Sequence, residues 1–173
     1  KQKYQYWELI IIDNNSKNNI LEIIKKKNNN KIKYYKIKND GVIGKSRNFG
    51  IKKSKFSWIA FIDSDDFWYK EKLDEIVKNI KIKKYEFYYH NMHIYNDSKF
   101  FFKRKLYSYE KNKKKSKFED LIVNGNDIIQ SSVVLKKKLI NKVGYISEKK
   151  DLIAWEDFDL WLKISKITNN FCL

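Results

Sequence analysis

The chain has 173 residues, with 38 Lys or Arg against 21 Asp or Glu, a formal net charge of +17, one cysteine and no proline. That length suits one domain able to bury a core, and a lone Cys172 excludes an internal disulfide framework or a cysteine-built zinc site, which makes a reducing cytoplasm the expected compartment. No apolar run is long enough to span a bilayer and no leader peptide opens the sequence, so the chain reads as soluble.

Excess positive charge attracts polyanions at long range. Arg47 and Arg104 are the only arginines, however, and the remaining basic residues are lysines accompanied by many Asn, Ile and Tyr. Codon bias in an A/T-rich genome produces that profile, with lysines on every solvated face and no specific nucleic-acid partner. A dedicated polyanion site is the alternative, and peripheral attraction to an acidic membrane is a by-product of either.

In chain order, Trp7-Glu8-Leu9-Ile10-Ile11-Ile12-Asp13 reads as a buried strand ending in an acid. Asn14, Asn15 and Ser16 supply turn and cap chemistry, and Ile20, Leu21, Ile23 and Ile24 form an apolar stripe at helical spacing. A domain that starts directly on such a strand is unusual, so residues upstream are expected. Asn28, Asn29 and Asn30 break the helix, and residues 32–37 alternate like a more exposed strand. Three of the five glycines then fall at Gly41, Gly44 and Gly50, which predicts positive φ or close approach to a ligand. Arg47 in that segment suggests a planar fork needed for bidentate or stacked recognition; a glycine turn followed by an ordinary amphipathic helix is the other reading.

Residues 58–62 are continuously apolar, as in a strand covered on both faces, and lead into Asp63, Ser64, Asp65 and Asp66. Open α/β sheets bind ligands at the carboxyl ends of their strands, and clustered carboxylates are costly without a cation or donors between them. Hard oxygens suit Mg²⁺ or Mn²⁺ shared with a phosphate ester. The plainer reading is a turn and a helix cap, both of which favour Asp.

Leu73, Ile76, Val77 and Ile80 mark an amphipathic helix, and residues 85–95 read as an aromatic-rich strand. His90 and His93 lie three apart there, on opposite faces, and make a poor metal pair. Residues 97–117 alternate aromatics with lysines, hold the densest basic run at Lys111 to Lys117 and look like an exposed hairpin or mobile loop, the best place for a polyanion or acceptor contact, with a plain solvated loop as the favoured reading. Apolar character returns over 121–134, a helix over 135–143 stops at Gly144, and a last helix opens at Trp155-Glu156-Asp157 with Leu160, Trp161, Ile164 and Ile167 inward.

Five strings in one order carry a resemblance. They are Trp7-Glu8-Leu9-Ile10-Ile11-Ile12-Asp13; Gly41-Val42 with Ser46-Arg47-Asn48-Phe49-Gly50-Ile51; Ile59-Ala60-Phe61-Ile62-Asp63-Ser64-Asp65-Asp66-Phe67-Trp68; Ser131-Ser132-Val133-Val134 leading to Val143-Gly144-Tyr145; and Glu156-Asp157-Phe158-Asp159-Leu160-Trp161-Leu162. Covering most of residues 4–166, they resemble the glycosyltransferase family 2 catalytic domain. The resemblance implies an α/β fold of the GT-A type: a single Rossmann-like domain whose mixed, mostly parallel sheet is flanked by helices. Residues 1–96 would form the nucleotide-sugar-binding half and 97–173 the acceptor-binding half.

It further implies an inverting, metal-dependent hexosyltransferase that moves a sugar from a nucleoside-diphosphate sugar, most often a UDP-sugar, to a glycan or glycolipid acceptor. Such an enzyme would work at the cytoplasmic face of a membrane on a surface-glycan precursor. Asp13 would recognise the base, Arg47 would lie near the base or diphosphate, and Asp63 would meet the ribose. Asp65 of the DXD motif would ligate Mg²⁺ or Mn²⁺, and Asp157 would be the general base. Asn15, Ser64, Glu156 and Trp161 complete the expected substrate-binding set. Two departures stand out: Asn14 and Asn15 replace the usual acid and glycine after Asp13, and the family's first, proline-containing strand is absent, with the chain also stopping soon after the base helix. A non-catalytic basic module, or an inactive transferase fragment binding nucleic acid or an anionic membrane surface, is the reading from a different class.

Overall fold

A computed structural model describes residues 2–94, 104–106 and 116–173. Strand β1 (Leu9–Asp13) pairs in parallel with β2 (Ile32–Lys36), from Leu9 opposite Ile32 to Asp13 opposite Lys36. Helix α1 (Ile20–Lys27) joins them. It starts where the Asn19 side chain accepts the Glu22 N–H and ends where Asn28 takes φ 42°, a left-handed cap that asparagine tolerates. Helix α2 (Ile43–Lys53) packs on β1 and leads to β3 (Trp58–Ala60).

After β3 come α3 (Lys72–Lys83), β4 (Phe87–Tyr88), β5 (Met92–Ile94), β6 (Arg104–Leu106), α4 (Lys117–Asn124), β7 (Val134–Lys136), α5 (Lys137–Lys142), α6 (Glu156–Ile167) and β8 (Phe171–Cys172). The main sheet runs β3-β7-β4-β8, in which β7 is antiparallel to both neighbours and β8 is parallel to β4. The expected mixed pairing is present, but β1–β2 forms a separate parallel sheet and only β4–β8 is parallel in the four-stranded one, so the described pairings are not mostly parallel as expected. β5 and β6 pair antiparallel; of residues 97–117, expected to form an exposed hairpin or mobile loop, only 104–106 and 116–117 are among the described residues.

The core sits between the main sheet and α4, α5 and α6, with Phe87, Leu121, Leu135, Ile140, Leu160 and Trp161 wholly buried. Several expectations change here. Leu9, Ile10, Ile11 and Ile12 are only half-buried, because β1 has a ladder partner on one edge alone among the described residues. In β3 and beyond, Ile59 and Phe61 are buried whereas Ala60 and Ile62 are exposed, so that strand is covered on one face, not two. The apolar stripe of α1 leaves Leu21 and Ile23 exposed, and Ile167, expected inward, is exposed on the last turn of α6. The aromatic strand is broken into β4 and β5.

Two helix ends follow sequence rules closely. Helix α5 closes with a Schellman motif: Gly144 at φ 84° donates to the Asn141 carbonyl and Tyr145 to that of Ile140. Helix α4, not anticipated above, opens with a capping box in which Ser116 and Glu119 bond each other's backbone N–H. Lys117, the last lysine of the run expected to be solvated, is instead almost buried, its Nζ 3.1 Å from Asp120 and 3.0 Å from Asp127. Among the described residues, no helix is long and apolar enough to cross a membrane.

Candidate active site

The site is assembled by α2. Gly41 takes φ 80° in the turn before it, and a Cβ on Gly44 would lie 2.3 Å from the Ser147 carbonyl oxygen. The close approach foreseen in this segment is thus, at Gly44, to the chain's own backbone. Asn48, buried, locks the same contact by donating to the Ile146 carbonyl (2.9 Å) and accepting its N–H (3.1 Å). Anchored in this way, α2 presents Arg47 to two other segments at once. Its Nη1 donates to Glu156 Oε1 at 2.5 Å and its Nη2 to Asp63 Oδ1 at 3.0 Å.

Arg47 therefore spends its fork on two carboxylates of its own chain, so the recognition expected of a planar fork is met here by Asp63 and Glu156. The reason is electrostatic. Glu156 is buried, and a buried carboxylate needs a counter-charge to remain tolerable; a guanidinium meets two carboxylates with one planar group, which lysine does not. Among the described residues the second Glu156 oxygen is buried with no hydrogen-bond partner, and the side chain, nearly buried, is turned to Arg47.

Asp63 stands at the end of the strand that continues β3. Its N–H donates to Ser131 Oγ (2.9 Å), and its carbonyl accepts the Asp66 N–H in a tight turn. Ser64 and Asp65 lie exposed on that turn, with Asp66 half-buried. Among the described residues, no three His, Cys, Asp or Glu side chains converge as a preformed metal cage. An exposed Asp65 carboxylate nevertheless fits a divalent ion of the Mg²⁺ kind, which takes one or two carboxylates and fills its remaining positions from phosphates and water.

Asp13 is 4% exposed and saturated. Oδ1 accepts from the Ser16 N–H (2.8 Å) and hydroxyl (2.5 Å), and Oδ2 accepts from the Tyr34 hydroxyl (2.6 Å). These donors hold its pKa below the ordinary carboxylate value. Asn14 accepts the Asn39 N–H (3.0 Å), and Asn39 donates to the Ser46 hydroxyl (2.8 Å), which ties the β1 turn to the start of α2. Asn15 is exposed at φ 54°, the left-handed conformation that asparagine tolerates.

Asp157 opens α6 half-buried, its Oδ1 accepting the Phe158 N–H at 2.6 Å. Burial raises its pKa, the neighbouring Glu156 adds to the rise, and the Phe158 N–H and Arg47 oppose it. A carboxylate raised in this way is suited to take a proton. Ala154, at φ 68°, turns the chain sharply before it, leaving Trp155 largely exposed. Trp161 is elsewhere: it is wholly buried and packs edge-on against Phe61 and Phe87, so it supports α6 and cannot touch a substrate.

Arg47, Asp63, Glu156 and Asp157 are therefore brought into one place, with Ser64 and Asp65 on the adjoining turn; Asp13 and Asn15 connect through Asn14 and Asn39. Ser16, Tyr34, Ser131 and Lys72 were not anticipated as members. Ser16 was legible as the third residue after an acid at a strand end, a spacing at which a carboxylate accepts the backbone N–H as it does at a helix cap. Lys72 carried no signal among so many lysines.

The family profile described as Glycosyl transferase family 2 matches residues 1–144. The chain is 29% identical over 169 residues, 98% of its length and 62% of the relative's, to WfgD of Escherichia coli, named a UDP-Glc:alpha-D-GlcNAc-diphosphoundecaprenol beta-1,3-glucosyltransferase. It is 34% identical over 97 residues, 56% of this chain and 16% of the relative, to a glycosyltransferase of Rickettsia conorii. Its structure resembles S. aureus TarS 1-349 in complex with UDP-GlcNAc, with a TM-score of 0.72 and 20% identity over 98% of this chain and 48% of that one. The likeness to TarS shows the fold. The chain spans less than two thirds of the length of each of these relatives.

Proposed function

This chain belongs to glycosyl transferase family 2 and has its GT-A fold, and on that premise we propose that it transfers a sugar from a UDP-sugar to a hydroxyl of a glycolipid or glycan acceptor, inverting the anomeric centre. The observation that carries the reading is the Arg47 bridge, because it ties the strand-end carboxylate Asp63 to the residue next to Asp157, a carboxylate whose burial suits it to proton uptake. The name of WfgD supports UDP-glucose as the donor to try first, with a GlcNAc-diphospholipid as acceptor.

In this reading Asp157 accepts the proton of the acceptor hydroxyl as that oxygen attacks the anomeric carbon from the face opposite the diphosphate. The bond from the anomeric carbon to the diphosphate oxygen breaks, and the nucleoside diphosphate departs with the electron pair. Asp65 would hold a Mg²⁺ or Mn²⁺ ion shared with the diphosphate, supplying neutralisation of the leaving group's charge. Asp63 orders the turn that carries Asp65, and Asp13 with Asn15 orders the turn after β1, where the nucleoside would lie.

Calorimetric titration with UDP and with GDP, each with and without Mn²⁺, tests the donor site. UDP is expected to bind with metal, and the metal-dependent part is expected to vanish in Asp65→Ala. Asp157→Asn is expected to keep nucleotide binding and lose transfer. A folded chain that binds neither nucleotide overturns the reading.

A further inference from the structure

Ser131 is a short residue in a fully buried turn, and both ends of the acidic segment meet on it. The antiparallel register of β3 and β7 pairs Ala60 with Val134 and continues as the Phe61 N–H to the Val133 carbonyl (3.2 Å). Two residues further on, the same register would take the Asp63 N–H to the Ser131 carbonyl. It goes to Ser131 Oγ instead (2.9 Å), because the chain winds through a 3-10 turn at Gln130–Ser132 that points the carbonyl elsewhere. The freed carbonyl accepts two donors from the far end of the acidic segment, Trp68 Nε1 at 2.9 Å and Lys72 Nζ at 2.7 Å. Lys72 Nζ also lies 3.8 Å from the centre of the Trp68 ring.

Resting on the function proposed above, we propose that Ser131 and Lys72 are positioning residues for donor binding, closing the segment from Asp63 to Trp68 into a fixed loop that aims Asp65. Each residue plays a separate part. Ser131 fixes where the loop leaves the sheet, through its hydroxyl, and where it returns, through its carbonyl. Lys72 holds the indole from the other side and places a cation near Asp66.

The burial of Lys72 is itself informative. Its side chain is 8% exposed, and burial pulls its pKa down to about 7, with Asp66 the opposing influence. A lysine in that condition costs the fold stability below its ordinary pKa, since the unfolded chain binds the proton more readily. Packing does not explain such a residue, whereas holding a loop of carboxylates does. Methionine of similar length should therefore make a more stable protein with a looser loop.

The test uses Lys72→Met, Lys72→Arg and Ser131→Ala in the full chain, with hydrogen exchange and thermal unfolding read alongside UDP titration with and without Mn²⁺. Lys72→Met is expected to unfold at a higher temperature at pH 7, to exchange about tenfold faster at amides 63–68 and to bind UDP about tenfold more weakly with Mn²⁺, as loss of one buried hydrogen bond implies. UDP binding without metal should be unchanged. Ser131→Ala should reproduce the exchange and binding effects, and Lys72→Arg, which keeps a donor and a stacking face, should restore both. Unchanged exchange at 63–68 in Lys72→Met and Ser131→Ala overturns the clamp, and faster exchange with unaltered Mn²⁺-dependent UDP affinity overturns its positioning role. If the unsubstituted chain binds neither UDP nor GDP, the proposed function and the donor-positioning role that rests on it both fall, while exchange still decides the clamp.

Discussion

The two halves of the molecule bury their apolar residues very differently, although their strands are about equally apolar in sequence. Around β1, α1 and β2, Leu9 to Ile12 are all half-exposed, and α1 has no buried residue. Alternate residues are buried along β3 and successive ones along β7 and β4, where Phe87, Leu135 and, just before β7, Val133 have no exposed surface. The contrast comes from neighbours. β7 has a strand on each edge and shares a buried core with α5 and α6, whereas β1, among the described residues, has one strand and α2. Hydrophobic burial scales with area removed from water, so identical isoleucines differ in worth according to what covers them.

Truncations on the two sides should show this most strongly. Trp161→Ala, in the covered half, is expected to lose about 3–5 kcal/mol, whereas Ile11→Ala is expected to lose only about 1 kcal/mol, because partial exposure lowers both transfer and cavity costs. Denaturant titration measures both, and equal losses would erase the distinction. Next in size is the seam between the halves. Arg47→Ala leaves Glu156 buried without its cation and is expected to cost about 3 kcal/mol, with Arg47→Lys recovering part of it, again by denaturant midpoint.

Acid titration sharpens the comparison further. His90, in the covered half, is half-buried with its Nε2 enclosed, and this desolvation together with nearby Lys72 pulls its pKa down to about 4 from 6.5. Between those values the unfolded chain binds the proton and the native one does not, so stability present above pH 6.5 should fall by up to about 3 kcal/mol towards pH 4. His90→Gln should flatten that limb of the stability curve. The smallest effect separates the two acids of the site. Carboxyl-carbon NMR should find Asp13 titrating below its ordinary value and Asp157 above it, and transfer should be lost in acid as Asp157 takes its proton. The same direction of shift in both would contradict the environments described here.

Much of the site was legible before the fold. Asp63, Asp65 and Asp66 stood out as acids ending an apolar run, whereas Asp157 was singled out only by the family resemblance; Asn15 at positive φ, Asn28 as a helix stop and Gly144 as a Schellman residue obey local rules. The Ser116–Glu119 capping box was equally readable. Less visible was what each polar group would spend its hydrogen bonds on. Arg47 stood out as a rare arginine, but only proximity to Glu156, 109 residues away, turned its fork inward. Trp161 sat in a site string and went to the core, because the face of α6 carrying it meets Phe61 and Phe87.

Patterns within a few residues of one another, such as strand-end acids, caps, glycine turns and the order of the five strings, were settled by covalent neighbours and backbone geometry, and those depend on nothing distant. Burial of β1, the partners of Arg47, the bond from Tyr34 to Asp13 and the convergence of Asp63, Trp68 and Lys72 on Ser131 depend on contacts between segments far apart in the chain. Such contacts form only when strands and helices pack, and a hydrogen-bonding group will accept any partner that packing brings within about 3 Å.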